Sequence, residues 1–244
     1  MNLAYRVFHN RLWEIEFCKK YSLGIEYRID HDSLLEEGRK NARFLENLDL
    51  PKAFHYPSWG DNIWLSHSIE ENRKIAIEKF KGYLEICKLI NAKVVVIHDE
   101  EPLGGIEPYI RSLREIVRIS RRDGIKVAIE NARTNPFFLL DLISGVEGVG
   151  LTLDLGHANI QLGGDGTLRF MEKAMERIIH LHVHDNHGIY DEHLVPGDGS
   201  LNYGEIMQKL KEINFDGMAV LELSWDIDPE NGIRKSIEFL GNLL

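Results

Sequence analysis

Six successive β-rich runs of this chain carry, at their carboxyl ends, a residue that can hold a divalent cation: His55, His98, Glu130, Asp154, His182 and Glu222. Imidazole and carboxylate without thiolate suit zinc, manganese or another borderline-to-hard divalent ion. Such an ion lowers the pKa of its water or polarises a carbonyl. More donors stand close by: His157 follows Asp154 by three residues, and Asp191 and His193 are one residue apart in a long loop. His180, His182 and His184 alternate through IIHLHVHDN, so all three face the same side of one strand. Spacing alone leaves His182 and His184 competing as the ligand, while His180, deepest in the strand, reads as a core or supporting group. Any one of these residues alone is explained equally well by a structural role or a helix cap. Six consecutive strand ends of ligand type are not.

The elements that must position these residues alternate along the whole chain. Strands are expected at Asn2 to Val7, Gly24 to Ile29, Lys52 to His55, Lys93 to His98, Lys126 to Glu130, Gly150 to Asp154, Ile178 to His184 and Gly217 to Glu222. AKVVVIHDE, IKVAIEN and GVGLTLDLGH are near-continuous apolar runs followed at once by polar residues, as in parallel strands buried on both faces. Between them, Glu70 to Leu89 and Glu107 to Arg122 repeat apolar residues at three- and four-residue spacing and read as outer helices. Asn91, Gly124 and Asn214 follow three of the helices, where a left-handed residue commonly closes the last turn. Eight strand–helix pairs in 244 residues predict an α/β fold, a single-domain (β/α)8 TIM barrel over residues 1–244, since that fold takes about 250 residues. An open doubly wound sheet is disfavoured because the first strand lacks a glycine-rich phosphate turn. In a barrel the six strand ends ring one mouth, where active sites of this fold are built.

Composition narrows the function classes. The formal charge of −10 argues against a broad basic surface for non-specific nucleic-acid binding. No run of about 18 apolar residues offers a membrane span, and the amino terminus lacks the features of a secretion signal. With only Cys18 and Cys87, neither a disulfide framework nor a thiolate zinc site is expected, and a cytoplasmic location fits. The long segment from Asp185 to Tyr203, rich in His, Gly and Asp, is expected to shape the mouth. Trp59, His184, Tyr190 and Trp225 are candidate substrate-binding residues there, and Arg28, Arg133 and Lys52 are candidate partners for a phosphate or carboxylate.

Taken together, HYPSW, VVVIHDE, VAIEN, LTLDLGH, HLHVHDN, DEHLVPGDGSLNY and VLEL resemble the xylose-isomerase-like TIM barrel superfamily, which includes sugar phosphate isomerases and epimerases and endonuclease IV (AP endonuclease family 2). The resemblance covers nearly the whole chain. In the isomerase branch it implies one divalent ion (Zn, Mn, Mg or Co) held by Glu130, Asp154, His182 and Glu222, with Glu130 and Glu222 exchanging a proton with the substrate. The family register, with the ligand histidine three residues before the Asp of the HVHD segment, favours His182 over His184. In the endonuclease IV branch it implies three zinc ions held by nine residues: His55, His98, Glu130, Asp154, His157, His182, Asp191, His193 and Glu222. The short chain and its acidic charge favour the first branch. The leading expectation is therefore a metal-dependent isomerase or epimerase of a small sugar, sugar phosphate or related ketone. The alternative is a trinuclear zinc phosphoesterase acting on abasic DNA, and a non-catalytic metal or metabolite binder ranks third. Nucleic acid is a partner only under the alternative, and no membrane partner is expected.

Overall fold

Short apolar runs broken by polar residues become eight parallel strands that close on themselves in chain order. The computed structural model describes residues 1–57 and 64–243. The strands are β1 (Asn2–Phe8), β2 (Gly24–Arg28), β3 (Lys52–His55), β4 (Val94–His98), β5 (Lys126–Glu130), β6 (Val149–Asp154), β7 (Ile178–Val183) and β8 (Met218–Leu221). The helices outside them are α1 (Ile15–Lys20), α2 (Leu35–Ala42), α3 (Glu70–Ile90), α4 (Ile106–Arg122), α5 (Pro136–Ser144), α6 (Leu155–Ala174), α7 (Tyr203–Glu212) and α8 (Pro229–Gly241). The (β/α)8 barrel expected from the alternation is the fold.

Alternation along each strand divides the side chains. One set, including Val7, Ile25, Tyr27, Phe54, Val95, Ile97, Val127, Ile129, Leu151, Leu153 and Leu181, is buried in the apolar core shared with the helices. The other set carries the polar residues, among them Arg6, Glu26, His55, Glu130, Asp154, His180 and His182, all buried. Register lines these up across neighbouring strands: Arg6 beside Glu26, Arg28 beside His55, His98 beside Glu130 and Asp154 beside His182. The closing residues behave as expected, with positive φ at Asn91 (58°), Gly124 (69°) and Asn214 (49°).

The loops at the mouth are tied down by acids just beyond β4. Asp99 accepts hydrogen bonds from the backbone N–H groups of Ala132, Arg133 and Thr134 at 3.0, 2.7 and 2.6 Å, which fixes the β5–α5 loop. Glu100 accepts from Leu65 and Ser66, both at 3.0 Å, and so holds the approach to α3. Among the described residues no helix is long and apolar enough to cross a membrane.

Candidate metal centre

The centre is best built outward from His182, fully buried in β7. Its Nε2 faces the Glu26 carboxylate at 3.2 and 3.5 Å. Its Nδ1 lies 3.4 Å from Glu130 Oε1, 3.4 Å from Glu222 Oε1 and 3.6 Å from Asp154 Oδ2, yet makes no hydrogen bond. A carboxylate that takes the N–H of one ring nitrogen leaves the lone pair of the other pointing outward, the arrangement that prepares a histidine for a cation. Three carboxylates and one lone pair converging in a buried space are a donor set that fits a divalent ion.

Two flanking sets repeat this logic. His55 Nδ1 donates to the Tyr56 carbonyl at 2.7 Å, and its Nε2 meets Glu130 Oε2 at 3.1 Å, where His98 Nε2 also arrives at 3.1 Å. Burial, reinforced by Arg28, pushes the His55 imidazole down to about 4. The neutral ring therefore aims a lone pair at a carboxylate, a contact that a cation between them satisfies. On the other flank His193 Nδ1 donates to the Glu222 carbonyl at 2.8 Å, and its Nε2 faces Asp191 Oδ2 at 3.2 Å, with His157 Nε2 on the same oxygen at 3.3 Å. Four residues offer ligand atoms within 4.8 Å of one another here: His157, His184, Asp191 and His193.

The electrostatics follow from this crowding. Burial pushes the carboxyls of Glu130 and Asp154 up, but the surrounding histidines outweigh it and hold both well below the usual carboxylate range. Glu222 is also held low, against burial, chiefly by the Arg6 guanidinium and His182. Burial drives His182 down, but Glu222, Glu26 and Glu130 win and keep it well above the usual histidine value. The cleft above the centre, about 620 Å³, is lined by Arg6, Arg28, Arg133, Glu130, His157 and Trp225 among others.

The family model of the xylose isomerase-like TIM barrel matches residues 15–243. The chain belongs to that family. A relative from Methanocaldococcus jannaschii, itself uncharacterised, is 33% identical over 173 residues, which span 63% of this chain and 58% of that protein. An inosose isomerase of Halalkalibacterium halodurans is 27% identical over 242 residues, 88% of this chain and 83% of the isomerase. Among solved structures, a D-tagatose 3-epimerase-like protein superposes with a TM-score of 0.78 at 25% identity and covers 99% of both chains. The IOLI protein with a binding zinc atom shares the fold at a TM-score of 0.74 and 19% identity, covering 100% of this chain and 99% of its own.

In this xylose isomerase-like barrel the nine residues singled out in the sequence are brought together in one mouth. His184 joins them differently: its Nε2 meets Asp154 Oδ1 at 3.0 Å and its ring stacks on His193 with centroids 4.0 Å apart. Trp225 lines the cleft, against Phe8 at 4.5 Å. Tyr190, 74% exposed, is not among the residues lining it, and Trp59 lies outside the described residues. Lys52, one of three candidates for an anion partner, is at the opposite end of the barrel, at the start of β3, where its ammonium donates to the carbonyls of Leu48 and Leu50 and ties down its own loop. Sequence reasoning missed Glu26 and Arg6. Their signal was present as a charged residue on alternate positions of the buried runs LAYRVF and GIEYR, which only an inward-facing polar site tolerates.

Proposed function

We propose that the chain is a divalent-metal-dependent isomerase or epimerase of a small sugar, sugar phosphate or related ketone. Glu130, Asp154, His182 and Glu222 would hold one ion, and Glu130 and Glu222 would carry the proton. The observation that carries this reading is the unbonded Nδ1 of His182, 3.4–3.6 Å from one oxygen of each of three carboxylates. The ion, when bound, polarises the substrate carbonyl and acidifies the neighbouring C–H. Glu130 and Glu222 come from β5 and β8, three strands apart around the barrel, and so reach the cleft from different sides. Both carboxyls are held low, Glu222 by Arg6 and Glu130 by its histidines, so either can take the proton from the carbon as a carboxylate. Isomerisation returns that same proton, and epimerisation requires the other carboxylate first to take up a proton from solvent before giving it to the opposite face. The inosose isomerase and D-psicose 3-epimerase among its relatives support the same class of reaction.

The test is exchange of the C–H next to the carbonyl in D2O, followed by proton NMR over a panel of ketoses, ketose phosphates and keto-inositols with Mn2+ or Zn2+ supplied. Exchange and product formation are expected with at least one compound and should vanish in Glu130→Gln and Glu222→Gln. No exchange across the panel would remove the reading.

The paired histidines on Glu130 Oε2 and on Asp191 Oδ2 favour a second reading, a trinuclear zinc phosphoesterase acting on abasic DNA. Elemental analysis of protein purified without chelator separates the two. Close to three zinc ions per chain, with ions and abasic-site cleavage lost together in His55→Ala or His98→Ala, supports the phosphoesterase. About one ion, retained in both variants, supports the isomerase.

A further inference from the structure

While the acids crowd the mouth, a set of cations gathers at the opposite end of the barrel. α4 places Arg114, Arg118 and Arg122 at four-residue spacing with Arg121 beside them, and all four are exposed. Lys126 opens β5 and Arg177 stands just before β7, so six cations frame the strand starts there, on a chain of formal charge −10. Two cavities lie among them. One, about 650 Å³, is lined by the four α4 arginines with Val117, Gly145 and Glu147. The other, about 640 Å³, is lined by apolar Val117, Ile125, Val127, Val149 and Ile179, and by Lys126, Glu176 and Arg177. Val117 and Arg121 line both, so the two are continuous. We infer that this double groove binds a nucleoside di- or triphosphate, its ring on the apolar lining and its phosphates among the α4 arginines.

Like charges three and four residues apart on a helix repel each other. Two of the four, Arg121 and Arg122, are in the last turn of α4, where the helix dipole favours a cation; Arg114 and Arg118 lie before it and have no such compensation. Nor do acids relieve them. Among the described residues Arg118 and Arg122 make no ion pair, hydrogen bond or ring contact, and Arg114 reaches the Gly145 carbonyl at 3.4 Å. Glu115, three residues before Arg118, is turned instead to Arg73 at 3.0 Å. Glu147 is 3.8 Å from Arg121 with both side chains largely in solvent, a pair that contributes little. A chain of phosphates relieves the repulsion, and guanidinium supplies the planar pairs of N–H donors that match its oxygens. The second cavity adds what phosphate alone does not use. Its apolar side chains suit a flat ring, and Arg177 is held rigid at its edge by donating to the carbonyls of Ser144, Val146 and Val149 at 3.2–3.4 Å. Gly148, at φ 85°, keeps the junction open, since a Cβ there would lie 2.7 Å from Arg121 Nη2. Each cavity is within the range of about 300–1,000 Å³ usual for small-molecule sites. A nucleic-acid strand would need a longer run of cations than this short set on an acidic chain.

The groove is at the far end of the barrel from the metal centre and is independent of the isomerase reading. Isothermal titration of the purified protein, dialysed free of unbound metal, with ATP, ADP, tripolyphosphate and a single-stranded oligonucleotide is the experiment. ATP or ADP is expected to bind at one site per chain, and tripolyphosphate, which lacks the ring, more weakly. The double variant Arg118→Gln, Arg122→Gln should weaken the nucleotide by about ten-fold or more, the loss of charge-assisted hydrogen bonds, with the Tm unchanged because both side chains are exposed and unpaired. A control that removes the same charge near α2, Lys40→Gln with Arg43→Gln, should bind as wild type. Absence of nucleotide binding, or equal affinity in wild type and the α4 variant, overturns the inference, because a nucleotide held at the metal centre would not respond to residues 118 and 122. Equal loss in the control, or tripolyphosphate binding as tightly as ATP, also overturns it by reducing the groove to general charge attraction. An oligonucleotide that binds more tightly than ATP and is lost in the α4 variant overturns it in favour of nucleic acid.

Discussion

At the scale of single residues, the centre is a problem of which nitrogen of each histidine is occupied. His55, His182 and His193 each have one ring nitrogen engaged by a fixed acceptor: the Tyr56 carbonyl, the Glu26 carboxylate and the Glu222 carbonyl. Each thereby aims its other ring nitrogen at carboxylate oxygen, and that nitrogen offers a lone pair to a cation once any proton on it has left. Glu26 is the strongest of these acceptors because it is charged, fully buried and shared with His180 at 2.8 Å. Replacing Glu26 with Gln keeps the shape but removes the charge and leaves the ring free to turn. Loss of such a supporting carboxylate typically weakens metal affinity by about 10–100-fold. Competition with a chromophoric chelator should show that loss in Glu26→Gln with the circular dichroism spectrum unchanged. An affinity equal to wild type would mean that His182 is oriented by its packing alone.

At the scale of elements, the turn from β6 into α6 does two jobs with one side chain. Asp154 Oδ1 caps α6 by accepting from the His157 N–H at 2.7 Å, while Oδ2 faces His182. The first turn of the helix thus places His157 and the strand end places Asp154. Gly156, between them, makes room for His184, since a Cβ there would lie 2.0 Å from the imidazole. Gly156→Ala should therefore cost about 1–3 kcal/mol by overpacking, a fall in Tm of roughly 2–4 °C per kcal/mol. It should also lower the content of bound divalent metal, because His184 would be driven off Asp154. A calorimetric Tm within error of wild type would show that the turn can shift. This turn also shows what the sequence makes legible. LTLDLGH announces a buried strand, its polar end and the helix after it, because a parallel strand covered on both faces has to be apolar until it reaches the mouth. The same rule located all six donor-bearing ends, and the DEHLVPG loop followed from its composition. Arg6 and Glu26 stayed hidden because a charge in the middle of a strand reads as a solvent-facing position until closure of the barrel shows that its face is inward. Lys52 stayed ambiguous for the converse reason: composition marks a charge without saying which end of the barrel holds it.

At the scale of the molecule, a chain of formal charge −10 gathers Glu26, Glu130, Asp154, Asp191 and Glu222 around one mouth, and the cost of that crowding depends on what neutralises it. With no metal supplied, protons on His182 and His157 do so, both raised well above the usual histidine value by the carboxylates against the effect of burial. A group raised on folding stabilises the native state fully below its unfolded value near 6.5, and that contribution fades as pH climbs through the folded value. The carboxylates act in the opposite sense, losing their contribution only in strong acid, since their folded values lie well below the ordinary range. A divalent ion replaces the histidine protons and competes with them, so its stabilisation grows as they leave. The difference in Tm between metal-loaded and chelator-stripped protein should accordingly widen from pH 6 to pH 9. With free metal about 1,000-fold above its Kd, the ion contributes about 4 kcal/mol. At 2–4 °C per kcal/mol, that is a gap of roughly 8–16 °C at the alkaline end. Scanning calorimetry of both forms across that range measures it, and a gap that stays constant or narrows with rising pH would show that the histidines are not standing in for a cation.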